Sequence, residues 1–379
     1  MDIQNIRDEI NEIDDRLVEL FVRRMQIAQD VATYKKEHNL PVTDRTRERE
    51  VIYRLTEKVD PAFSSYTRSL YQKLFELSKT YQSALLSGES TLVKQISSAL
   101  ETTEKRLPAR AKIACQGTEG AYSQLAADRI FTTPSVEFFD SFDAVFRAVD
   151  SGLCRYGVLP IENSTAGSVT AVYELMQKYR FYIVGGARLC VGHALLAPRQ
   201  TALSDVREVY SHEQALAQCS DYLKQLDGVV VTPAKNTAIA AKELAESGRR
   251  DAAVICSADC AQLYGLSVLE HSVSNTENNH TRFICIAKEL EIYPGADRTG
   301  LMVRLPHKPG SLYALLSRFD ALGINLSKLE SRPIAGTDFE FMFYFDVDAS
   351  VYDENLLSLL SQLEAEIPGL VYLGSYHEC

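Results

Sequence analysis

The sequence lacks any excess of basic residues: 40 Lys and Arg stand against 51 Asp and Glu, a formal charge of −11. A nucleic-acid binder needs a basic stripe that displaces counterions, so this balance argues against that class. It leaves small anionic substrates open, because a few local arginines suffice to hold them. Long apolar runs are also missing, and no stretch approaches the roughly 20 residues of a membrane span. The opening MDIQNIRDEI is acidic and amphipathic, unlike a signal peptide, and a cytoplasmic protein is expected. Paired cysteine spacing is absent too. The 8 cysteines are scattered, and Cys256 with Cys260 stands too far from other ligands to suggest a metal site. Reduced thiols, no metal and no cofactor are the expectation. What is there, 46% hydrophobic and 24% charged residues over 379 positions, predicts a globular chain of two or three domains.

The first 86 residues carry helical patterning. Ile6, Ile10, Ile13, Leu17, Leu20, Ile27, Val31 and Tyr34 recur in steps of four and three, the rhythm of a coiled-coil stripe. A helix from Ile3 to about Glu37 would be about 50 Å long. A fragment this small cannot cover it, so a partner chain is expected and the molecule is read as a dimer. After Leu20 the rhythm lands on Arg24, where a hydrophobe is due. A guanidinium there either snorkels at the edge of the stripe or serves an anionic ligand. Arg7 lies beside the same seam and Lys35 follows Tyr34. Pro41 ends the helix, and Asp44 starts a second one to about Lys58, with Arg47 and Glu48 one turn before Val51 and Ile52. Pro61 opens a third helix striped by Leu70, Leu74, Leu77, Tyr81 and Leu85, with Ser78 and Gln82 along its edge. Polar residues on three inward faces predict a polar pocket inside a helical bundle.

The series Arg7, Arg24, Lys35, Asp44, Arg47-Glu48, Ser78 and Gln82 is similar to the active-site set of all-helical chorismate mutases. That chemistry is a pericyclic shift, in which arginines clamp two carboxylates and orient the substrate. The resemblance assigns Lys35 and Gln82 to the ether oxygen, where charge grows as the C–O bond breaks. It assigns Glu48 to the ring hydroxyl, and it supplies Arg7 from a partner subunit.

Residues 87–110 are rich in Ser, Gly, Glu, Lys and Thr and read as a mobile linker, helical in part. From Lys112 short apolar strands alternate with helical stretches. The strands are expected at 112–115, 136–139, 156–159, 181–184, 206–210, 229–231, 252–255 and 282–287. That alternation predicts a largely parallel sheet, split into two lobes by a cleft. The chain is read as leaving the first lobe near Val191 and returning at Thr281. Motifs follow the strands, where open α/β sheets bind ligands. Gly117-Thr-Glu-Gly-Ala-Tyr-Ser123 precedes a helix whose amides could receive a carboxylate. Pro160-Ile-Glu-Asn-Ser164 follows the third strand, Ser211-His212 leads to a helix with Gln218, and Asn236-Thr237 opens another. Ser274–Phe283 is a polar loop ending in Thr281-Arg282-Phe283.

Taken together these motifs resemble those of prephenate dehydratases. The resemblance places Asn163, Ser164, Ser211, Gln218, Thr237, Thr281 and Arg282 around the substrate. Prephenate loses its ring hydroxyl and a carboxylate together, so a donor near that hydroxyl is required. Thr281 is expected as the orienting donor. Arg282 either neutralises the pyruvyl carboxylate or forms a structural ion pair. His212 competes with its neighbour Ser211, which the family match favours, whereas His193 and His271 are read as structural.

Residues 298–379 read strand, helix, strand, strand, helix, strand, the order of a ferredoxin-like sandwich. They resemble an ACT domain that binds L-phenylalanine. Gly310-Ser311-Leu312 and Glu330-Ser331-Arg332-Pro333 are similar to its binding motifs, and Asn325 and Leu326 contribute.

The resemblance as a whole is to bifunctional chorismate mutase–prephenate dehydratases. It implies a multidomain chain: an all-α helical bundle forming an intertwined dimer (1–86), then a linker (87–110). A two-lobed α/β domain of the periplasmic-binding-protein type follows (111–290), and an α+β ferredoxin-like ACT domain ends it (298–379). The implied partners are chorismate, prephenate and L-phenylalanine, in a homodimer or a tetramer built from dimers. Two other readings stay open: arogenate as the second substrate, and a non-catalytic sensor of aromatic metabolites.

Overall fold

The computed structural model describes residues 2–38, 40–86, 90–276, 278–334 and 340–379. The chain divides into two compact units, residues 1–95 with 352–370, and residues 96–351 with 371–379.

The first unit is helical. Helix α1 (Ile3–Glu37) is capped by the Asp2 carboxylate, α2 (Arg45–Thr56) by Asp44, and α3 (Pro61–Leu86) begins on a proline, where no amide partner is lost. The face of α1 turned to α3 is Arg24, Ala28, Ala32 and Lys35, with both alanines buried. The stripe read from sequence lies one residue away on the helix wheel. Ile10, Ile13, Leu17, Leu20, Ile27 and Tyr34 are each at least half exposed. Small side chains, not the coiled-coil stripe, therefore let α3 approach. Helix α4 (Thr91–Thr102) occupies the expected linker, with Leu92, Ile96 and Ala99 buried; positions 87–89 lie outside the described residues.

In the second unit the first lobe contains β1 (Lys112–Gln116), α5 (Tyr122–Ile130), β2 (Ser135–Phe139) and α6 (Phe142–Asp150). It continues with β3 (Tyr156–Asn163), β4 (Gly167–Ser168), α7 (Thr170–Tyr179) and β5 (Tyr182–Cys190). The second lobe holds β6 (Ala194–Ala197), β7 (Glu208–His212), α8 (Glu213–Gln218), α9 (Ser220–Leu223) and β8 (Val230–Ala234). It is completed by α10 (Thr237–Ser247), β9 (Ala252–Cys256), α11 (Asp259–Tyr264) and β10 (Ser267–Glu270). Strand β11 (His280–Ala287) then returns to the first lobe, whose sheet order is β2-β1-β3-β11-β5 with β4 on β3. The second sheet runs β10-β6-β9-β7-β8.

The sheets are mixed, which corrects the expectation of a largely parallel one. β1 is parallel to β2 and β3, but β11 is antiparallel to both β3 and β5. The reason is topological: β11 enters from the other lobe instead of from a crossover helix. The crossing points read from sequence hold, because Val191 N–H donates to Asn279 O at 2.7 Å, pairing the outgoing and returning segments. Residues 160–163 of the PIENS motif do not follow β3 but continue it. The register slips between Arg282 and Phe283 opposite Pro160 and Glu162, and that bulge is what lets a proline sit inside a central strand.

The last elements are β12 (Arg298–Leu305), α12 (Ser311–Ala321), β13 (Asn325–Pro333), β14 (Phe341–Asp348), α13 (Glu354–Glu366) and β15 (Leu370–Tyr376). Their sheet runs β13-β14-β12-β15. Met302, Tyr344, Leu373 and Tyr376 share one apolar cluster with Val172, Tyr173, Met176 and Ile183 of the first lobe. Gly374 (φ 121°) is needed there, since a Cβ on it would stand 2.4 Å from Ile183 O. Helix α13 groups with the first unit, where Glu364 accepts from Ser90 Oγ (2.6 Å) and Leu92 N–H (3.0 Å).

Candidate active sites

A cavity of about 490 Å³ opens between the two lobes of the second unit. The returning strand β11 lays Thr281 and Phe283 into it, while the ends of β3, α5, α8 and α10 supply Asn163, Tyr122, Gln218 and Thr237. Thr281 and Asn163 are directly opposed across β11 and β3. Asn163 Nδ2 donates to Thr281 Oγ1 at 2.8 Å and to Asn279 Oδ1 at 2.7 Å. Asn163 Oδ1 in turn accepts from Thr165 N–H (3.0 Å), Thr165 Oγ1 (2.7 Å) and Ala166 N–H (2.8 Å), which fixes the amide orientation. Because Thr281 Oγ1 is already an acceptor, its own hydrogen is the one left to donate. Gln218 extends the network: its Oε1 meets Asn279 Nδ2 at 3.0 Å and His193 Nε2 at 2.9 Å, and its Nε2 donates to Thr165 Oγ1 at 3.1 Å.

His193 therefore lies in this site. Gln218 Oε1 can only accept, so His193 carries its hydrogen on Nε2, and its Nδ1 is buried without a partner among the described residues. Burial depresses the imidazole pKa, opposed in part by the Gln218 bond. Sequence reading left His193 as packing because nothing local marks it; its partners come from Gln218 and from Tyr122, whose ring stands edge-on at 6.4 Å.

Helix α5 presents its amino end to the cavity, and its cap residue Ala121 offers no side-chain acceptor. The Tyr122 and Ser123 amides thus remain for an anionic group, while Gln124 N–H donates to Ala121 O at 2.9 Å. Gly117 holds the turn before it in a left-handed conformation (φ 112°), close to the Asn236 amide. Asn236 caps α10 through a 2.8 Å bond to Ala238 N–H, leaving Thr237 and Lys235 on the cavity wall.

Three expected residues stand elsewhere. Ser211 is fully buried and donates to Ile255 O at 2.5 Å, while its neighbour His212 lines the cavity. Successive strand residues face opposite sides, so only one of the two can reach a ligand, and it is the histidine. The same alternation removes Arg282. Its guanidinium points away from Thr281 and pairs with Asp346 and Glu378, with Tyr376 Oη at 2.6 Å. Two carboxylates saturate it, so the carboxylate-neutralising role is set aside in favour of the structural ion pair. Ser164 Oγ is tied into the loop, accepting from His280 N–H (2.9 Å) and donating to Asn278 O (3.1 Å).

In the helical unit, Arg24 bonds Leu74 O at 3.1 Å and Ser78 Oγ, and lies 5.6 Å from the Phe75 ring centre. Burial lowers its pKa, with Tyr71 acting in the opposite sense. Ser78 and Gln82 are buried, and Gln82 Oε1 has no partner among the described residues. Glu48 pairs with Lys79 at 3.0 Å. Lys35 Nζ donates to Val42 O at 2.5 Å and shares an open depression with Asp44. Arg47 is exposed beside Glu50, and Arg7 is exposed near the start of α1.

The C-terminal residues divide by face. On β13, Lys328, Glu330 and Arg332 turn inward: Lys328 Nζ meets Glu162 at 2.6 Å, Glu330 meets Ser168 Oγ at 2.8 Å, and Arg332 meets Glu330 at 2.8 Å. Asn325, Ser331 and Pro333 face out, with Leu326 partly covered. Gly310 (φ 84°) precedes α12, which opens with Ser311 and Leu312.

Comparison with known proteins gives these sites a context. The chorismate mutase type II family matches residues 6–83, and the prephenate dehydratase family matches residues 113–291. A bifunctional chorismate mutase/prephenate dehydratase of Enterobacter agglomerans is 32% identical, over 98% of this chain and 95% of its own. Arogenate dehydratase/prephenate dehydratase 2 of Arabidopsis thaliana is 37% identical, over 75% of this chain and 77% of its own. The structure of prephenate dehydratase from Arthrobacter aurescens in complex with L-Phe has a TM-score of 0.64 at 28% identity, covering 70% and 89% of the two chains. GqqA, described as a novel type of quorum-quenching acylase, also has a TM-score of 0.64, at 30% identity over 71% and 98%. With a full-length relative at this identity and both domains matched in order, the chain belongs to the bifunctional chorismate mutase/prephenate dehydratase family.

Proposed function

We propose that the helical unit converts chorismate to prephenate and that the two-lobed cavity converts prephenate to phenylpyruvate. The observation that carries the second step is the Asn163–Thr281 hydrogen bond on the cavity wall. In that reaction the ring C–O bond breaks as hydroxide takes a proton and leaves as water. The C–CO₂⁻ bond breaks at the same time, its electron pair completing the aromatic ring. Thr281, held as an acceptor by Asn163, donates to the departing oxygen; its ordinary pKa suits an orienting donor better than a full acid. The amino end of α5 receives one carboxylate.

For the mutase, Arg24 clamps a carboxylate, Lys35 and Gln82 meet the ether oxygen, and Glu48 holds the ring hydroxyl. Arg7 lies 17 residues before Arg24, about 25 Å along the helix at 1.5 Å per residue. It can serve only a site in a second chain. Together with the exposed apolar stripe of α1, this supports a homodimer, in which α1 of one protomer completes the pocket of its partner.

Residues 298–379 act as an ACT domain. Gly310, Ser311, Leu312, Asn325, Leu326 and the segment 330–333 bind L-phenylalanine, as the L-Phe complex of the Arthrobacter relative supports. The effector inhibits by favouring a closed cleft. The enzyme works in the cytoplasm. The test is an absorbance assay on chorismate, with phenylpyruvate read at the end and L-phenylalanine in a parallel run. Phenylpyruvate that falls with phenylalanine is expected, and accumulation of prephenate would overturn the second step.

A further inference from the structure

The cavity has an unbalanced electrostatic composition. Among the described residues lining it there is no Asp or Glu, whereas Lys235 is there with a primary ammonium. The other ionisable residues of the lining itself add no negative charge. His193 and His212 are neutral or cationic, and burial pushes the Tyr122 phenol upward, so it stays protonated. Lys235 follows β8 at the end of the parallel strands, where α/β sheets bind ligands, and beside the amino end of α10. It forms no ion pair among the described residues, so its charge is open to a ligand.

We infer that Lys235 is a specificity-determining residue: its ammonium takes a substrate carboxylate and disfavours a substrate that carries an ammonium of its own. Prephenate is a keto acid with two carboxylates and no cation. Arogenate replaces the keto oxygen with an ammonium, which here would meet Lys235 and no lining carboxylate. An anion-only wall beside two helix amino ends therefore selects the doubly anionic keto acid. Because Lys235 is largely exposed, its effect is screened by salt and acts on binding more than on the chemical step.

The inference rests on the dehydratase reading of the cavity. The full chain and its Lys235→Gln and Lys235→Arg variants are each given prephenate and arogenate, and initial rates of phenylpyruvate and phenylalanine formation are measured. Lys235→Gln is expected to lower kcat/KM for prephenate about 10-fold, mainly through KM, and to leave arogenate unchanged or improved, whereas Lys235→Arg keeps the parent preference. An unchanged prephenate-to-arogenate ratio in Lys235→Gln overturns the inference, as does a parent enzyme that prefers arogenate. Turnover of neither substrate by the parent would instead remove the dehydratase reading, and the inference with it.

Discussion

Asn163 and Thr281 face each other as register partners of two antiparallel strands, and the Asn163 amide donates to Thr281 Oγ1 over 2.8 Å. Strand pairing, not a loop, therefore sets the direction in which the threonine hydrogen points. Replacing Thr281 by Val removes the donor at nearly constant volume. Dehydration of prephenate is expected to fall at least about 100-fold in kcat, and Thr281→Ser to keep most of it. Steady-state rates on prephenate check this, and a Val variant within a few-fold of the parent would remove Thr281 from the mechanism.

Arg24 sits on α3 through Leu74 O and Ser78. If its function were packing, Leu would serve better at this partly buried site. Arg24→Leu is expected to lower chorismate turnover by roughly 100-fold or more, because the proposed carboxylate clamp is lost. Thermal unfolding is measured alongside. A variant that is more stable and equally active would count against the mutase assignment.

Arg282 is the opposite case, a charge embedded among Asp346, Glu378 and Tyr376. Arg282→Met takes the close cation from Asp346 and Glu378, leaving Glu378 only Arg298 at 4.0 Å, and destabilisation by about 3–5 kcal/mol is expected from denaturant unfolding. Loss of turnover with an unchanged unfolding midpoint would return Arg282 to the catalytic group.

The depressed pKa of His193 links stability to pH. Its folded-state pKa lies below the ordinary 6.5, so the unfolded chain binds the proton first as pH falls. The stabilising contribution is present above 6.5 and is lost as pH drops through the folded-state value. Melting temperature between pH 7.5 and pH 5 should fall less in His193→Asn than in the parent; parallel curves would exclude this linkage.

Lys328 joins β13 to Glu162 and Ser168, the latter on the cavity wall. This is a physical route from the proposed effector strand to the substrate. Lys328→Met is expected to raise the phenylalanine concentration needed for half-inhibition several-fold, with kcat within about two-fold. Dose–response curves on prephenate decide it, and an unshifted curve would show that coupling runs elsewhere.

How legible the molecule was depends on the range of the interactions involved. Helix limits were local information: Pro41 and Asp44 bracket the turn between α1 and α2, and Pro61 starts α3. The return crossing at Thr281 was legible for the same reason, since the polar run from Ser274 ends abruptly at Phe283. Strands β6 and β10 were not, because short apolar stretches such as Ala194–Ala197 look alike in strands, helices and loops.

The sequence by itself determined most element positions, because periodicity, capping and proline act within a few residues. Tertiary structure alone decided which side of each element faces a ligand. Arg282 turned to carboxylates 64 and 96 residues away, and Arg24 joined the face beside Ala28 instead of the apolar stripe. Ser211 yielded the cavity to His212 because β7 pairs on both sides and fixes its alternation. A strand's phase and a helix's rotation depend on distant neighbours, and no local pattern contains them.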